Sequence, residues 1–171
     1  MKLETPRTIL RDLEAGDFEA LFRLTGDADS LKYMGDGKPL TAETTRRWIA
    51  VSQENYAKLG YGALAVVDKA SGLFAGIAGF IRSEDATPPD EGELIYALLP
   101  EYRGKGLATE ISAALVEYGF RRLGFERVLA TIDPANIPSV RVAEKLGFVL
   151  RETKPDEHGM ETLFFWREHE P

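Results

Sequence analysis

Gly92-Glu93-Leu94-Ile95-Tyr96-Ala97-Leu98-Leu99-Pro100, followed by Tyr102-Arg103-Gly104-Lys105-Gly106-Leu107-Ala108, is the stretch whose reading decides the fold. Its first run is rich in strand-forming residues and is closed by Pro100, which has no N–H to continue a ladder. Beyond the glycines, Leu107, Ile111, Ala114, Leu115 and Tyr118 make one apolar stripe, so a long helix is expected over 104–123. A strand that feeds a glycine-rich turn and then a helix start creates an anion site. The first-turn N–H groups have no partner inside the helix, and the aligned peptide dipoles add partial positive charge there. Two glycines let the backbone approach a phosphate or pyrophosphate closely, and Arg103 and Lys105 add cationic side chains. A nucleoside triphosphate loop is not indicated, because Gly104 is followed by Lys-Gly-Leu-Ala-Thr instead of four residues and Gly-Lys-Ser/Thr. The dinucleotide fingerprint also fails, because Gly104-x-Gly106-x-x-Thr109 lacks its third glycine. On glycine spacing alone, an ordinary helix-start turn is the competing reading.

Upstream, Arg7–Leu13 alternates and reads as a strand, and Asp17 is placed to cap a short helix carrying Phe18, Leu21 and Phe22. A loop spans Gly35–Pro39. Thr41 then caps a helix that runs to Leu59 with Gly60 as its stop; its Trp48 and Tyr56 are read as core. Tyr61–Asp68 and Phe74–Arg82 are β-rich and joined by Lys69-Ala70-Ser71-Gly72, which is hairpin chemistry, and a Pro88-Pro89-Asp90 loop follows. Downstream, Arg127–Asp133 reads as a strand and Pro138–Leu146 as a helix ended by Gly147. Phe148–Thr153 and Met160–Arg167 form a strand pair across the turn Pro155–Gly159. The expected order is βααβββαβαββ in one domain over residues 1–171. That is an α/β (α+β) architecture, a mixed central sheet flanked by helices, with strands 92–99 and 127–133 adjacent and parallel.

Composition narrows the chemistry. The 171 residues include no Cys and only two His, so acyl-cysteine intermediates, disulfides and Cys/His metal sites are excluded, and no metal is expected. With 21 basic against 28 acidic residues the net charge is −7, the wrong sign for a phosphate-backbone binder, so no nucleic acid is expected. The opening Met-Lys-Leu-Glu-Thr-Pro-Arg has scattered charges and no apolar core, so neither a signal peptide nor a membrane partner is expected, and the chain is read as cytoplasmic.

A second motif stands at Asn136-Ile137-Pro138-Ser139-Val140-Arg141-Val142-Ala143-Glu144-Lys145-Leu146-Gly147-Phe148. Taken with Arg103-Gly104-Lys105-Gly106-Leu107-Ala108, it resembles the cofactor motifs of the GCN5-related N-acetyltransferases (GNAT). Arg-Thr-Ile-Leu-Arg-Asp-Leu from Arg7, Tyr33-Met34-Gly35 and Glu93-Leu94-Ile95-Tyr96-Ala97-Leu98 are similar to the branch holding the ribosomal-protein N-terminal acetyltransferases. The resemblance implies a GNAT-like fold and acetyl-CoA as co-substrate. It implies that backbone amides of Arg103, Gly104, Lys105, Gly106, Leu107 and Ala108 hold the CoA pyrophosphate, and that the main chain of Leu98 and Leu99 bonds the pantetheine arm. An amide near Leu98 is expected to polarise the thioester carbonyl between two splayed strands. Asn136 is expected at the pantetheine arm or the amine, or as a cap of the last helix. Ser139 is implied as cofactor contact and as proton donor to the departing thiolate, although it is also an ordinary first-turn capping residue.

Direct transfer needs a neutral amine. An α-amine of pKa about 7.7 to 8.0 is neutral in roughly a tenth to a sixth of molecules at pH 7, against ~0.04% for a lysine at about 10.4. A lysine or polyamine acceptor therefore asks about 3 to 4 kcal/mol more of a general base. Glu93 is the first choice for that base, through a water, against the alternative of a solvated strand-edge carboxylate. Tyr96, further along the strand, is read as core, with the acceptor cleft as its other place. His158 is read as exposed loop. Asp36, Asp156 and Glu157 would border the acceptor site and draw a cation, or simply solvate a hairpin tip. The partner is an amine-bearing substrate, either a peptide N-terminus or a small molecule such as a polyamine, an amino acid or an aminoglycoside. A non-catalytic acyl-CoA sensor is the reading from a different class, and the oligomeric state is open.

Overall fold

The computed structural model describes residues 2–82, 90–156 and 158–169. The Pro88-Pro89 loop and Glu157 lie outside the described residues. Strands β1 (Lys2–Glu4) and β2 (Thr8–Asp12) are followed by helices α1 (Phe18–Thr25), α2 (Ala28–Leu31) and α3 (Ala42–Leu59). Next come β3 (Ala63–Asp68), β4 (Phe74–Ile81), β5 (Glu91–Leu98), α4 (Leu107–Tyr118), β6 (Arg127–Ile132), α5 (Ile137–Lys145), β7 (Val149–Pro155) and β8 (Glu161–Glu168). All eight strands join one sheet in the order β1-β2-β3-β4-β5-β6-β8-β7. Every neighbouring pair is antiparallel except β5 and β6, which run parallel as the intervening helix requires. Among the described residues no helix is long and apolar enough to cross a membrane.

The mixed α/β sheet with helical cover is as expected, with two additions. β1 and α2 span three and four residues, too short to show a period. The long helix also begins later, at Leu107, because Gly104 and Gly106 adopt φ of +70° and +74° and stay in the turn. It closes on a wider π turn, Gly119–Leu123. The ends of α3 fall where its caps put them. Thr41 Oγ1 accepts the Thr44 N–H at 3.1 Å, and Gly60 takes a left-handed φ of +79°.

Asp17 does something other than cap α1. Its carboxylate receives both terminal nitrogens of Arg11 on β2, at 2.7 and 2.8 Å, and the N–H of Glu14 at 2.8 Å. Burial works to raise this carboxyl, but the Arg11 and Glu14 hydrogen bonds leave it below the usual carboxylate range. The folded value lies below the unfolded one of about 3.9, so the pair's stabilisation is complete at neutral pH and is lost as pH falls below about 4. Asp17→Asn is expected to lower stability by about 1 to 3 kcal/mol at neutral pH and to flatten the acid-side decline, read from urea midpoints across that range.

Apolar side chains cover both faces of the sheet. Leu13, Leu21, Leu24, Ile49, Ala65, Ile77 and Leu99 pack under α1–α3 on one side. Leu64, Phe80, Leu98, Leu107, Ile111, Leu115 and Phe125 pack under α4 on the other. The feature that positions the site lies between β5 and β6. They pair only at Glu91↔Arg127, Gly92↔Val128 and Glu93↔Leu129. Beyond that point β5 stays with β4 as far as Leu98 and β6 stays with β8 as far as Ile132, so the two part at the centre of the sheet.

Candidate active site

A cavity of about 620 Å³ opens where the strands part. It is lined from both faces of the sheet, by Trp48, Ile77, Ile81, Glu93 and Phe164 on the α1–α3 side and by Leu94, Tyr96, Ser139 and Ala143 on the other. Glu93 is the last residue of the short parallel pairing, is only 8% exposed, and accepts a hydrogen bond from Thr131 Oγ1 on β6. The carboxylate is therefore a buried wall group, not a solvated strand-edge one.

Tyr96 lies three residues beyond Glu93, so the pleat turns it to the opposite face, where it lines the cavity as well as packing on the core. Its hydroxyl donates to Ser139 Oγ at 3.0 Å. Burial pushes the phenol above its ordinary value against the opposing pull of that bond, so Tyr96 is a proton donor at neutral pH. One Ser139 lone pair is taken, and its own proton is left for another acceptor. Asn136 caps α5, its Oδ1 accepting the Ser139 N–H at 3.4 Å, and also lines the cavity.

At the far end of β5, the Leu99 N–H is spent on Ala75 O and the Leu99 carbonyl receives the Tyr102 N–H, each at 2.9 Å. Antiparallel alternation then turns the main chain of Leu98 away from β4 and toward the gap. Its carbonyl accepts Arg103 Nε at 2.7 Å, and Arg103 also reaches Ser30 Oγ at 2.8 Å. Lys105 Nζ bonds Glu101 O at 2.7 Å. Both cationic side chains thus brace the turn, whose residues Arg103, Gly104, Lys105 and Gly106 are exposed while Leu107 is buried. A Cβ added at Gly104 would meet nothing within 4 Å, so the turn is open above this glycine. A clamp invisible in local sequence holds the turn from below. Arg7 donates to Lys105 O at 2.8 Å and pairs with Glu110 at 2.7 Å, across about a hundred residues of chain.

The mouth is formed by the loop after α2 and by the β7–β8 turn. Asp36 pairs with Lys38 at 3.2 Å, and the Lys38 N–H, the Lys38 ammonium and the charge of His158 hold its carboxyl below the usual range. Asp156 Oδ1 accepts the N–H groups of His158 and Met160, each at 2.9 Å, and so closes the turn. Trp48, expected as core, packs half-buried against the core under α1–α3 and lines the cavity as well. Thr131, Trp48 and Glu110 carry no motif of their own, and the motif that opens on Arg7 gives no sign of the clamp. Only the fold brings them to the site.

Comparison with known proteins adds a family. Residues 7–149 match the family described as acetyltransferase (GNAT) domain. The uncharacterized protein YkkB of Bacillus subtilis (strain 168) is 34% identical over 155 residues, covering 89% of this chain and 87% of that one. A solved acetyltransferase (GNAT family) from Bacillus anthracis superposes with a TM-score of 0.84 at 25% identity, covering 98% of each chain. The ribosomal-protein branch is not singled out. A spermidine N-acetyltransferase from Vibrio cholerae, solved with CoA and spermine, shares the fold with a TM-score of 0.79 at 18% identity, covering 94% of this chain and 95% of that one.

Proposed function

The chain belongs to the acetyltransferase (GNAT) domain family and is an acyltransferase, and from that premise we propose that it moves an acetyl group from acetyl-CoA directly onto a primary amine, with a protein N-terminal α-amine as the first acceptor to test. Acetyl-CoA supplies the activated thioester. The open turn at Gly104 and the unpaired first-turn N–H groups of Leu107 and Ala108 fit its pyrophosphate, and the Leu98 main chain together with Asn136 fits the pantetheine arm.

The observation that carries the reading is a buried carboxylate and a hydrogen-bonded hydroxyl pair on opposite faces of one gap. In the proposed reaction Glu93 takes, through a water, the proton the amine releases as its nitrogen bonds the acetyl carbon. The Leu98 N–H receives the negative charge that develops on the carbonyl oxygen. As the carbon–sulfur bond breaks, Ser139 passes its proton to the departing sulfur and regains one from solvent water, so that no alkoxide is left. Tyr96 is a positioning residue that fixes the direction of that proton. With no cysteine in the chain, attack is direct within a ternary complex.

The proposal is tested by release of CoA thiol from acetyl-CoA in the presence of peptides of varied N-terminus, polyamines, amino acids and aminoglycosides. The protein contributes no thiol background. Turnover confined to free peptide N-termini supports the α-amine reading, turnover on one small amine replaces it, and binding of acetyl-CoA without turnover on any acceptor favours a sensor. Tyr96→Phe is expected to lower kcat about 3- to 12-fold, the worth of one hydrogen bond, with KM for acetyl-CoA unchanged. Adding Ser139→Ala to it should cost no more than Ser139→Ala alone. Additive losses would remove Tyr96 from the proton path.

A further inference from the structure

We infer that the side chain of Arg103 is a positioning residue for the acceptor: it ties the turn after β5 to α2 and thereby fixes the loop at the mouth of the cavity. The inference rests on the amine-acetylation reading above, and it gives this arginine a task other than adding positive charge at a phosphate. Arg103 Nε donates to Leu98 O at 2.7 Å, and Nη2 donates to Ser30 Oγ on α2 at 2.8 Å, across 73 residues of chain. The hydroxyl of Ser30 and its N–H, the latter at 2.8 Å, both bond Asp27, which caps α2. Those bonds, and after them the charge of Arg103, hold the Asp27 carboxyl below the usual range. A planar guanidinium serves two acceptors in fixed directions at once, which the single ammonium of a lysine does not. A second tether runs beside the first. Arg23 on α1 pairs with Glu101, whose carbonyl accepts Lys105 Nζ. The turn is thus bonded to both helices that precede the mouth.

What these bonds hold has little support of its own. α2 spans four residues, too few for a helix that stands alone, and Leu31 is the residue it buries. Residues 32–38, which follow it directly, all line the cavity. Within that loop the Met34 N–H bonds Leu31 O and the Gly37 N–H bonds Met34 O, each at 2.9 Å. The chain rejoins the fold where the Leu40 N–H meets Thr25 O at 2.7 Å. A shift of α2 therefore moves the carbonyl on which the first loop bond is built, and the wall of the cavity moves with it. The other end of the same guanidinium sits on Leu98, whose main chain turns toward the gap between β5 and β6. One side chain joins the strand end proposed for the thioester to the wall proposed for the amine.

Three variants decide it. Arg103→Lys keeps the charge and loses the fork, Ser30→Ala removes the far end of the tether without touching the turn, and Ser30→Thr keeps the hydroxyl. Amide hydrogen exchange, read without any ligand, should be about 5- to 20-fold faster at Met34 and Gly37 in Arg103→Lys and in Ser30→Ala. The amides of β4 and α4 should not change, and Ser30→Thr should match the unaltered chain. Thiol release is then followed with a peptide bearing a free N-terminal serine, with phenethylamine and with spermidine. For whichever amine the unaltered chain turns over, KM should rise about 5- to 20-fold in the same two variants, while the acetyl-CoA dissociation constant from calorimetry stays within about twofold. Combining Arg103→Lys with Ser30→Ala should cost no more than the larger single loss. Faster loop exchange in both variants, with no turnover of any amine by the unaltered chain, would sink the transfer reading and keep the tether. Unchanged exchange at Met34 and Gly37 overturns the inference. So does a weaker acetyl-CoA affinity in Arg103→Lys with the amine KM unmoved, which would return the guanidinium to the phosphate.

Discussion

Glu93→Gln is expected to lower kcat by about 10²- to 10⁴-fold, the usual contribution of a positioned general base, while acetyl-CoA affinity stays within about twofold. Glutamine keeps the volume of the side chain and can still accept the Thr131 hydroxyl, so the gap between β5 and β6 keeps its walls. What disappears is the ability to take a proton. The size of the loss should depend on the acceptor. An α-amine of pKa about 7.7 to 8.0 arrives neutral often enough to rescue part of the rate, whereas an alkylamine near 10.4 does not. The variant should therefore be compared on a peptide N-terminus and on an alkylamine, and its rate should recover more on the former as pH is raised. An unaltered kcat on both, with the thermal midpoint unchanged, removes Glu93 from the mechanism. A fall in kcat matched by an equal rise in the acetyl-CoA dissociation constant would instead make it a structural residue of the cleft.

Gly106→Val is expected to act on the opposite term, raising the acetyl-CoA dissociation constant with much smaller effect on turnover at saturation. The reason is conformational. A Cβ at this position would meet only an Arg7 side-chain nitrogen, at 3.8 Å, so packing does not forbid it. The φ of +74° does, because a left-handed residue with a side chain is strained by about 1 to 2 kcal/mol, and more for a β-branched one. The free variant would relax toward negative φ and turn the N–H groups of the helix start away from their shared direction. Binding must then restore the strained turn, which converts to about a 5- to 30-fold weaker affinity by calorimetry. Gly124→Val is the control. Gly124 has a φ of +73° and open space around it at the other end of the same helical stretch, so its replacement should lower stability and leave acetyl-CoA binding alone. Equal losses of affinity at both glycines would mean that Gly106 acts through helix stability and would withdraw the turn as the pyrophosphate site.

The order of elements and the turn at 104–106 could be read without coordinates because each depends on neighbours in the chain. Apolar spacing sets the stripe of α4, Thr41 and Gly60 mark the ends of α3, and Gly147 ends α5 with Phe148 returning to the core. The same locality explains the misses. β1 pairs with β2 over only three positions, with Leu3 opposite Leu10, and Trp48, which shares the spacing of buried Ile49 and Ser52 and packs on the core, gives no local sign that it also reaches the cavity. Asp17 has the sequence position of a cap, but Arg11 offers its carboxylate two charge-assisted hydrogen bonds.

By itself the sequence determined the order of the longer elements, the glycine turn at a helix start and the residue types available for acid–base work, since dihedral preference, periodicity and capping act over a few residues. Only the tertiary structure decided that β5 and β6 separate after Glu93, that Tyr96 reaches Ser139 across 43 residues, that Thr131 orients Glu93 and that Arg7 clamps the turn from the other end of the chain. Those contacts join residues far apart in sequence, and their energy exists only once the sheet has brought the strands together.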